Sequence, residues 1–211
     1  MSHPYRAVIF DFDGVIAEQG FRRGLVAATG CDATTMPDLR REGMIALLKS
    51  GYVTGAGSEA EFAHIFAQRT GLALDLGLLR QVIVEQSQVR SWVLDLSMRL
   101  QRGGLITAVL TDHTDWLDDI ERRMPFQHAF GRVFNSYTLG DCKAQAGVFT
   151  TVVGLLGIAA EQAIFIDDNP DNVVRARSRG LAGIVFEGRD QVVAELSRLL
   201  GGFAATGEPV C

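Results

Sequence analysis

Two aspartates close the first apolar run of this chain: in "VIFDFDGV" (residues 8–15) Asp11 and Asp13 stand two apart, and Gly14 follows. Side chains on an extended segment alternate with period two, so both carboxylates leave the strand on one face. Gly14 lets the backbone turn sharply over a bound group. Three later stretches also join polar residues to the end of an apolar run. "LTDHTDW" (110–116) supplies Thr111 and Asp112, "NSYTLGDCK" (135–143) brings in Lys143, and "FIDDNPDN" (165–172) supplies Asp167 and Asp168. Each has an ordinary reading by itself, such as a solvated lysine, or Asn169 as an N-cap with Pro170 at the first helical position. Together, clustered acids, a hydroxyl and a lysine make a site for a divalent cation and a phosphate.

Electrostatics asks for all of these parts. A carboxylate attacking a phosphate dianion at about 4 Å meets roughly 4 kcal/mol of repulsion per charge pair at an effective dielectric near 20, about 8 kcal/mol in total. A divalent cation and a lysine offset that repulsion; a bare aspartate does not. Passing through an aspartyl-phosphate divides one hard displacement into two easier ones. One carboxylate attacks, and its neighbour moves the proton.

The elements that must position these groups can be read from patterning. "AVIFDF" (7–12), "LITAVLT" (105–111), "RVFNSY" (132–137), "AIFID" (163–167) and "GIVF" (183–186) are short apolar runs of the kind buried on both faces of a parallel sheet. "FTTVVGLLG" (149–157) has helical spacing, and "PDNVVRARSRG" (170–180) starts with Pro and ends in Gly as helices do. Strand and helix alternate from about residue 92 onward. The expected fold is therefore α/β, a doubly wound, Rossmann-like parallel sheet, with ligands beyond the carboxyl ends of its strands. About ninety residues separate the first two strands, and "RRGLVAATG", "REGMIALLKSG", "SEAEFAHIFAQRTG" and "LGLLRQVIVEQS" within them are helix-like. A structureless loop of that length is implausible, so a helical insert is expected. The predicted division is a core of residues 1–16 and 91–211 and a helical cap of residues 17–90. The Gly-rich tail "GGFAATGEPVC" is expected to fray.

Composition excludes several classes of function. The 211 residues are 47% hydrophobic and carry a net charge of −5, with a pI near 5.4. This argues for a folded domain with no nucleic-acid partner and no membrane-surface role, since those select basic faces. No apolar run reaches the roughly 18 residues of a spanning helix, and "MSHPYRAVIF" leaves no room for a secretory signal. Cys31, Cys142 and Cys211 are scattered and lack CxxC spacing, which predicts reduced thiols in a cytoplasmic protein.

Other motifs are weaker. "GAGSEA" (55–60) matches a dinucleotide fingerprint but lacks the surrounding βαβ unit; Ser58 and Glu61 read instead as a capping box. His3, His64, His113 and His128 have no metal-ligand spacing, and Trp92 and Trp116 read as packing residues. Phe21, Arg22 and Arg23 are candidates to face the substrate, and His113 to line the entrance. Lys143 and a following helix start would favour a thiolate at Cys142.

The ordered set "DFDGV", Thr111, Ser136-x3-Gly140-x2-Lys143 and "IDDNPDNV" strongly resembles the haloacid dehalogenase-like (HAD) hydrolase superfamily, over about 135 residues. The insert resembles that superfamily's helical cap in the first position, and the stretch from "TDHTDW" to "GIVF" is similar to small sugar-phosphate phosphatases of the α-D-glucose-1-phosphate phosphatase type. The resemblance implies a phosphatase of small phosphate esters that works through an aspartyl-phosphate. In it Asp11 is the nucleophile, and Asp13 protonates the leaving oxygen and then activates water. Thr111 and Asp112, the latter through the backbone after Thr111, bind phosphate, and Lys143 neutralises charge. Mg²⁺ is held by Asp11, the Asp13 carbonyl and Asp168, with Asp167 in support. An acid at position 13 marks a phosphoryl-transfer member, since the dehalogenases lack one there. Two positions depart from the pattern: Ala144 follows Lys143 where Pro is usual, and Asp112 stands where Asn is common.

Two alternatives share most of these groups. A phosphomutase uses the same aspartyl-phosphate and differs in the acceptor. A non-enzymatic phospho-receiver also uses Asp, Thr and Lys with Mg²⁺, but there the acidic pair precedes the Thr and Lys and no large insert intervenes.

Overall fold

The five apolar runs become five strands of one parallel sheet in the computed structural model, which describes residues 4–31 and 38–202. They are β1 (Ala7–Phe10), β2 (Ile106–Thr111), β3 (Arg132–Asn135), β4 (Ala163–Asp167) and β5 (Ala182–Val185), in the spatial order β3-β2-β1-β4-β5. β1 is central: Ile9 registers with Ala108 on one side and with Phe165 on the other. The order runs outward from β1 through β2 to β3, then jumps back across β1 to β4. That reversal opens the crevice of a doubly wound sheet at the carboxyl ends of β1 and β4.

Alternation along the strands feeds two apolar layers. Val8, Phe10, Val109, Ile164 and Ile166 pack on one face with α5 (Ser91–Arg102), α6 (Leu117–Arg123) and α10 (Arg189–Leu199). Ile9, Ala108, Leu110 and Phe165 face the other way, against α8 (Gly147–Leu155) and α9 (Pro170–Arg177). The rings of Phe149 and Phe165 meet edge to face at 5.1 Å there. Burying each such ring contributes about 1.5–3 kcal/mol. Four strands differ from the sequence reading at their ends, β2 only in starting one residue late, at Ile106. β1 stops at Phe10, although the Asp11 N–H still bonds to the Ile166 carbonyl at 2.8 Å. β3 stops at Asn135, because its side chain caps the four-residue helix α7 (Ser136–Leu139) by accepting from the Tyr137 N–H. β5 begins and ends one residue early.

Between β1 and α5 lie α1 (Phe21–Thr29), α2 (Leu39–Ser50), α3 (Glu59–Thr70) and α4 (Leu76–Gln86), which pack on one another as a helical cap. Ala17 bridges both Asp13 and Val89, so the chain enters and leaves this insert side by side. Ser58 and Glu61 form the expected capping box of α3. The glycine of the false fingerprint also has a place. Gly55 has φ +67°, and a Cβ there would lie 2.4 Å from the Tyr137 carbonyl oxygen, so the motif lets the cap approach the core closely. Polar contacts seat the cap: Tyr52 donates to Asp115, the Trp116 indole donates to Glu59 at 2.6 Å, and Arg80 Nε donates to Asp119 at 2.5 Å. Trp116 is buried as expected, and Trp92 stacks on Phe186. No helix among the described residues is long and apolar enough to cross a membrane. His3, Cys211 and the tail from Phe203 lie outside the described residues.

Candidate active site

Asp11 follows the last residue of β1 and is 5% exposed. Its Oδ1 accepts from the Phe12 N–H at 2.7 Å and lies 2.5 Å from Lys143 Nζ. Burial pushes the Asp11 carboxyl well above its ordinary value, Asp167 adds to the rise, and Lys143 opposes it. Lys143 is buried, with Nζ 2.8 Å from Asp167 Oδ2 as well. Burial alone would lower the Lys143 pKa, but Asp11, Asp167 and Asp112 outweigh it and raise the value above normal.

Asp167, at the end of β4, is fully buried and fully used. Its Oδ2 accepts from Lys143 and from Asn172 Nδ2 at 3.0 Å, and its Oδ1 accepts from the Asn169 N–H at 2.8 Å. Asp167 therefore fixes the lysine, while Asp168 faces the crevice and receives the Gln19 amide at 2.6 Å. Carboxylate oxygens of Asp11, Asp167 and Asp168 all lie within 4.8 Å of one another. Three hard oxygen donors so close fit Mg²⁺, and the commitment of Asp167 to Lys143 and two N–H donors leaves Asp11 and Asp168 as the carboxylates to hold it. The Asp13 carboxylate stands outside that trio. Its side chain is 35% exposed, and its Oδ2 is 4.0 Å from His113 Nε2.

Thr111 is buried at the end of β2, in the same cavity as Asp11, Asp13, Lys143 and Asp168. The Asp112 side chain turns to the Lys143 backbone N–H, accepting at 2.9 Å and 3.1 Å through its two oxygens. A carboxylate at this position thus ties the loop after β2 to the lysine loop. Burial raises the Asp112 pKa, against the pull of Lys143. The lysine loop is not a helix start: α8 begins at Gly147, so Lys143 and Cys142 precede it by several residues. The thiolate expected at Cys142 fails for the same reason. Burial and Asp112 raise that thiol's pKa, and it is 5% exposed.

The loop after Asp13 is held by contacts that no local pattern announces. The Arg90 guanidinium donates to the carbonyls of Gly14 at 2.6 Å, Val15 at 2.7 Å and Ala17 at 3.3 Å. Gly14 has φ +87°, and a Cβ there would lie 2.4 Å from Asp168 Oδ2. Gly14→Ala is therefore expected to displace Asp168, weaken Mg²⁺ binding at least tenfold and cost about 1–3 kcal/mol of stability. Calorimetric Mg²⁺ titration and urea unfolding check this; wild-type values in both would refute it.

Of the residues proposed to face the substrate, Phe21 and His113 both line the cavity, and the buried His113 has an Nδ1 lacking a partner among the described residues. Arg22 and Arg23 do not line it; both are exposed, and Arg23 bonds to Gln86. Arg40 and Arg175, which sequence reasoning missed, supply the cationic rim. His64 lies on the exposed face of α3, bonded to Gln68.

Comparison with known proteins agrees with this geometry. The family description "haloacid dehalogenase-like hydrolase" matches residues 5–180. The chain is 34% identical over 89 residues to flavin mononucleotide hydrolase 1 of Arabidopsis thaliana, covering 42% of this chain and 36% of that protein. It is 33% identical over 78 residues to drimenol cyclase drtB of Aspergillus calidoustus, covering 37% of this chain and only 15% of that protein. A phosphoglycolate phosphatase of Xanthomonas campestris is 23% identical over 188 residues, with 85% of this chain and 81% of that one covered. Among solved structures, a HAD-like family hydrolase of Porphyromonas gingivalis superposes with a TM-score of 0.71 at 21% identity, over 93% of this chain and 98% of that one. A HAD family enzyme of Bacteroides thetaiotaomicron, in complex with magnesium and inorganic phosphate, gives a TM-score of 0.64 at 17% identity, over 88% and 96%. With the family match spanning most of the chain and the acidic crevice where the sheet demands it, this protein belongs to the haloacid dehalogenase-like hydrolases.

Proposed function

We propose that the protein is a Mg²⁺-dependent phosphatase of small phosphomonoesters that works through an aspartyl-phosphate on Asp11. The observation that carries this reading is the Asp11–Lys143 ion pair, set at the sheet crevice beside Asp168 with Asp13 two residues on. Asp11 attacks phosphorus and the bond to the leaving oxygen breaks, with Asp13 giving that oxygen its proton. Asp13 then takes a proton from water as the water oxygen attacks and the phosphorus–Asp11 bond breaks, which restores the Asp11 carboxylate and the protonated Asp13. Thr111 and the backbone at Asp112 hold phosphate oxygens. Lys143, oriented by Asp167, neutralises charge on Asp11 and the phosphoryl group. Bound by Asp11 and Asp168, with the Asp13 carbonyl, Mg²⁺ supplies Lewis-acid charge that offsets the repulsion between carboxylate and phosphate. Residues 17–90 act as a lid, which favours small esters over macromolecular substrates and excludes bulk water. The cysteine spacing supports a cytoplasmic setting.

Chelation followed by dialysis is expected to lower turnover on the order of 10³-fold, equivalent to several kcal/mol of lost charge stabilisation. Mg²⁺ should restore it, and Ca²⁺, with its larger and looser shell, should inhibit. Full activity in metal-free protein would refute the reading. Hydrolysis in oxygen-18 water should place solvent oxygen in the inorganic phosphate released. Transfer of the phosphoryl group within a sugar, with no solvent oxygen in phosphate, would identify a mutase instead.

A further inference from the structure

The cavity over Lys143, about 250 Å³, has two unlike walls. Its floor is the charged group just described. Its roof, supplied by the cap, is Phe21, Met44, Leu47, Leu48, Val53 and Ile83. Helix α2 explains how an apolar roof arises. It packs into the cap through Leu39, Gly43, Ala46 and Leu47. Arg40, Met44 and Leu48 recur every four residues and form a second stripe, which faces the cavity. Leu48 is 42% exposed, so much of this apolar side chain is left without a protein contact.

Polar side chains in the same cavity are partly committed to one another and to the backbone. Gln19 donates to Asp168, and Asn172 donates to Asp167 and accepts from Arg175. Asn169 accepts from the Asp171 N–H, and Thr114 accepts from the Trp116 N–H. Arg40, without an ion pair among the described residues, His113, close to Asp13, and the remaining donors of Arg175 and Asn169 keep side-chain capacity, and all of them belong to the charged side of the cavity or its rim, none to the roof. Hydroxyls pressed against the roof itself would give up their bonds to water and meet no polar side chain on it, whereas carbon buried there gains.

From this cavity we infer that the substrate is a phosphomonoester of an apolar alcohol, its aliphatic or aromatic body held by Met44 and Leu48 with Phe21 and Ile83. The inference rests on the phosphatase reading for the position of the phosphate, and it deepens that reading by naming the leaving group. The similarity to sugar-phosphate phosphatases comes from core motifs, which handle phosphate; the roof belongs to the cap and selects what is attached.

Cyclohexylmethyl phosphate and glucose 6-phosphate test this, because both join phosphate to a six-membered ring through a primary carbon and differ chiefly in hydroxyls. Calorimetry on the Asp11→Asn protein with Mg²⁺ separates binding from turnover. The cyclohexylmethyl ester should bind at least tenfold more tightly. Leu48→Gln, at an exposed position where folding is not at stake, and then Met44→Gln, should shrink that ratio to threefold or less while leaving the affinity for inorganic phosphate unchanged. Equal or tighter binding of glucose 6-phosphate, or a ratio unmoved by both substitutions, overturns the inference. Wild-type turnover reports on the underlying reading separately: phosphate release from either ester upholds a phosphatase whatever the ratio. Tenfold tighter binding of the cyclohexylmethyl ester with no release from either sustains the apolar pocket and overturns the phosphatase. No binding of either ester overturns the inference, and no binding together with no release from either overturns both.

Discussion

Asp11→Asn is expected to reduce phosphate release about 10⁴- to 10⁶-fold, the scale on which removing a nucleophile acts, while leaving the fold intact. Asn keeps the shape of Asp, and its Oδ1 can still accept from the Phe12 N–H and from Lys143, the two contacts that Asp11 Oδ1 makes. Lys143 keeps its bond to Asp167 Oδ2 at 2.8 Å, so the cation is not stranded. The charge lost is one that burial and Asp167 already disfavour, so the change in stability should stay within about 1 kcal/mol. Acid-quenched wild-type protein should carry a phosphoryl group on the peptide containing Asp11, absent from the variant. Phosphorylation mapped to another residue, or an Asn variant within tenfold of wild type, would remove Asp11 from the role of nucleophile.

How much of this site could be read from the chain follows from how far apart its partners lie. Asp11 and Asp13, Thr111, and Asp167 and Asp168 each sit at the end of their own apolar run, so strand patterning and the rule about carboxyl ends bring them together without further knowledge. Lys143 was legible through its spacing from Ser136, although the helix expected to start there begins at Gly147. Side chains whose meaning depends on distant partners were not legible. Arg90 reaches the Gly14 carbonyl across 76 residues, Gln19 reaches Asp168 across 149, and Asp112 reaches the Lys143 N–H across 31. In sequence these are an arginine before a helix, a loop glutamine and an odd acid. Met44 and Leu48 were hidden for a different reason. An apolar stripe on a cap helix looks the same whether it meets protein or substrate, and only the packing of Leu39, Gly43 and Ala46 on the other side shows that Met44 and Leu48 are left for the cavity. Arg22 and Arg23 stand close to strand one in the chain, which says nothing of the side of α1 they occupy.

Lys143→Met is expected to be the most damaging substitution in the protein, destroying turnover and costing about 3–5 kcal/mol of stability, as when one partner of a buried ion pair is removed. Lys143 lies among Asp11, Asp167 and Asp112, and their attraction holds it charged despite its burial. Its folded pKa is raised, so its stabilising effect is fully present below the ordinary lysine value, including at neutral pH. Met fills a similar volume but leaves Asp11 and Asp167 facing one another with no cation between them. Lys143 is also what opposes the upward shift of Asp11, so in the variant nothing offsets the burial and the Asp167 charge that raise the nucleophile's pKa. Charge and packing can be separated with a second substitution. Asp167→Asn removes the buried acid that Lys143 serves while keeping an acceptor oxygen for the Asn169 N–H, at the loss of the bond that Asn172 Nδ2 donates. The double variant Lys143→Met/Asp167→Asn should therefore be more stable than Lys143→Met alone, by a coupling of about 0.5–3 kcal/mol, yet remain inactive, because nothing offsets the charge of the incoming phosphate. Urea unfolding of the four proteins, with phosphate release assayed alongside, completes the cycle. A Lys143→Met protein within 1 kcal/mol of wild type, or a double variant no more stable than the single one, would show that Lys143 does not hold these carboxylates together; recovered turnover in the double variant would show that its charge is not needed for phosphate.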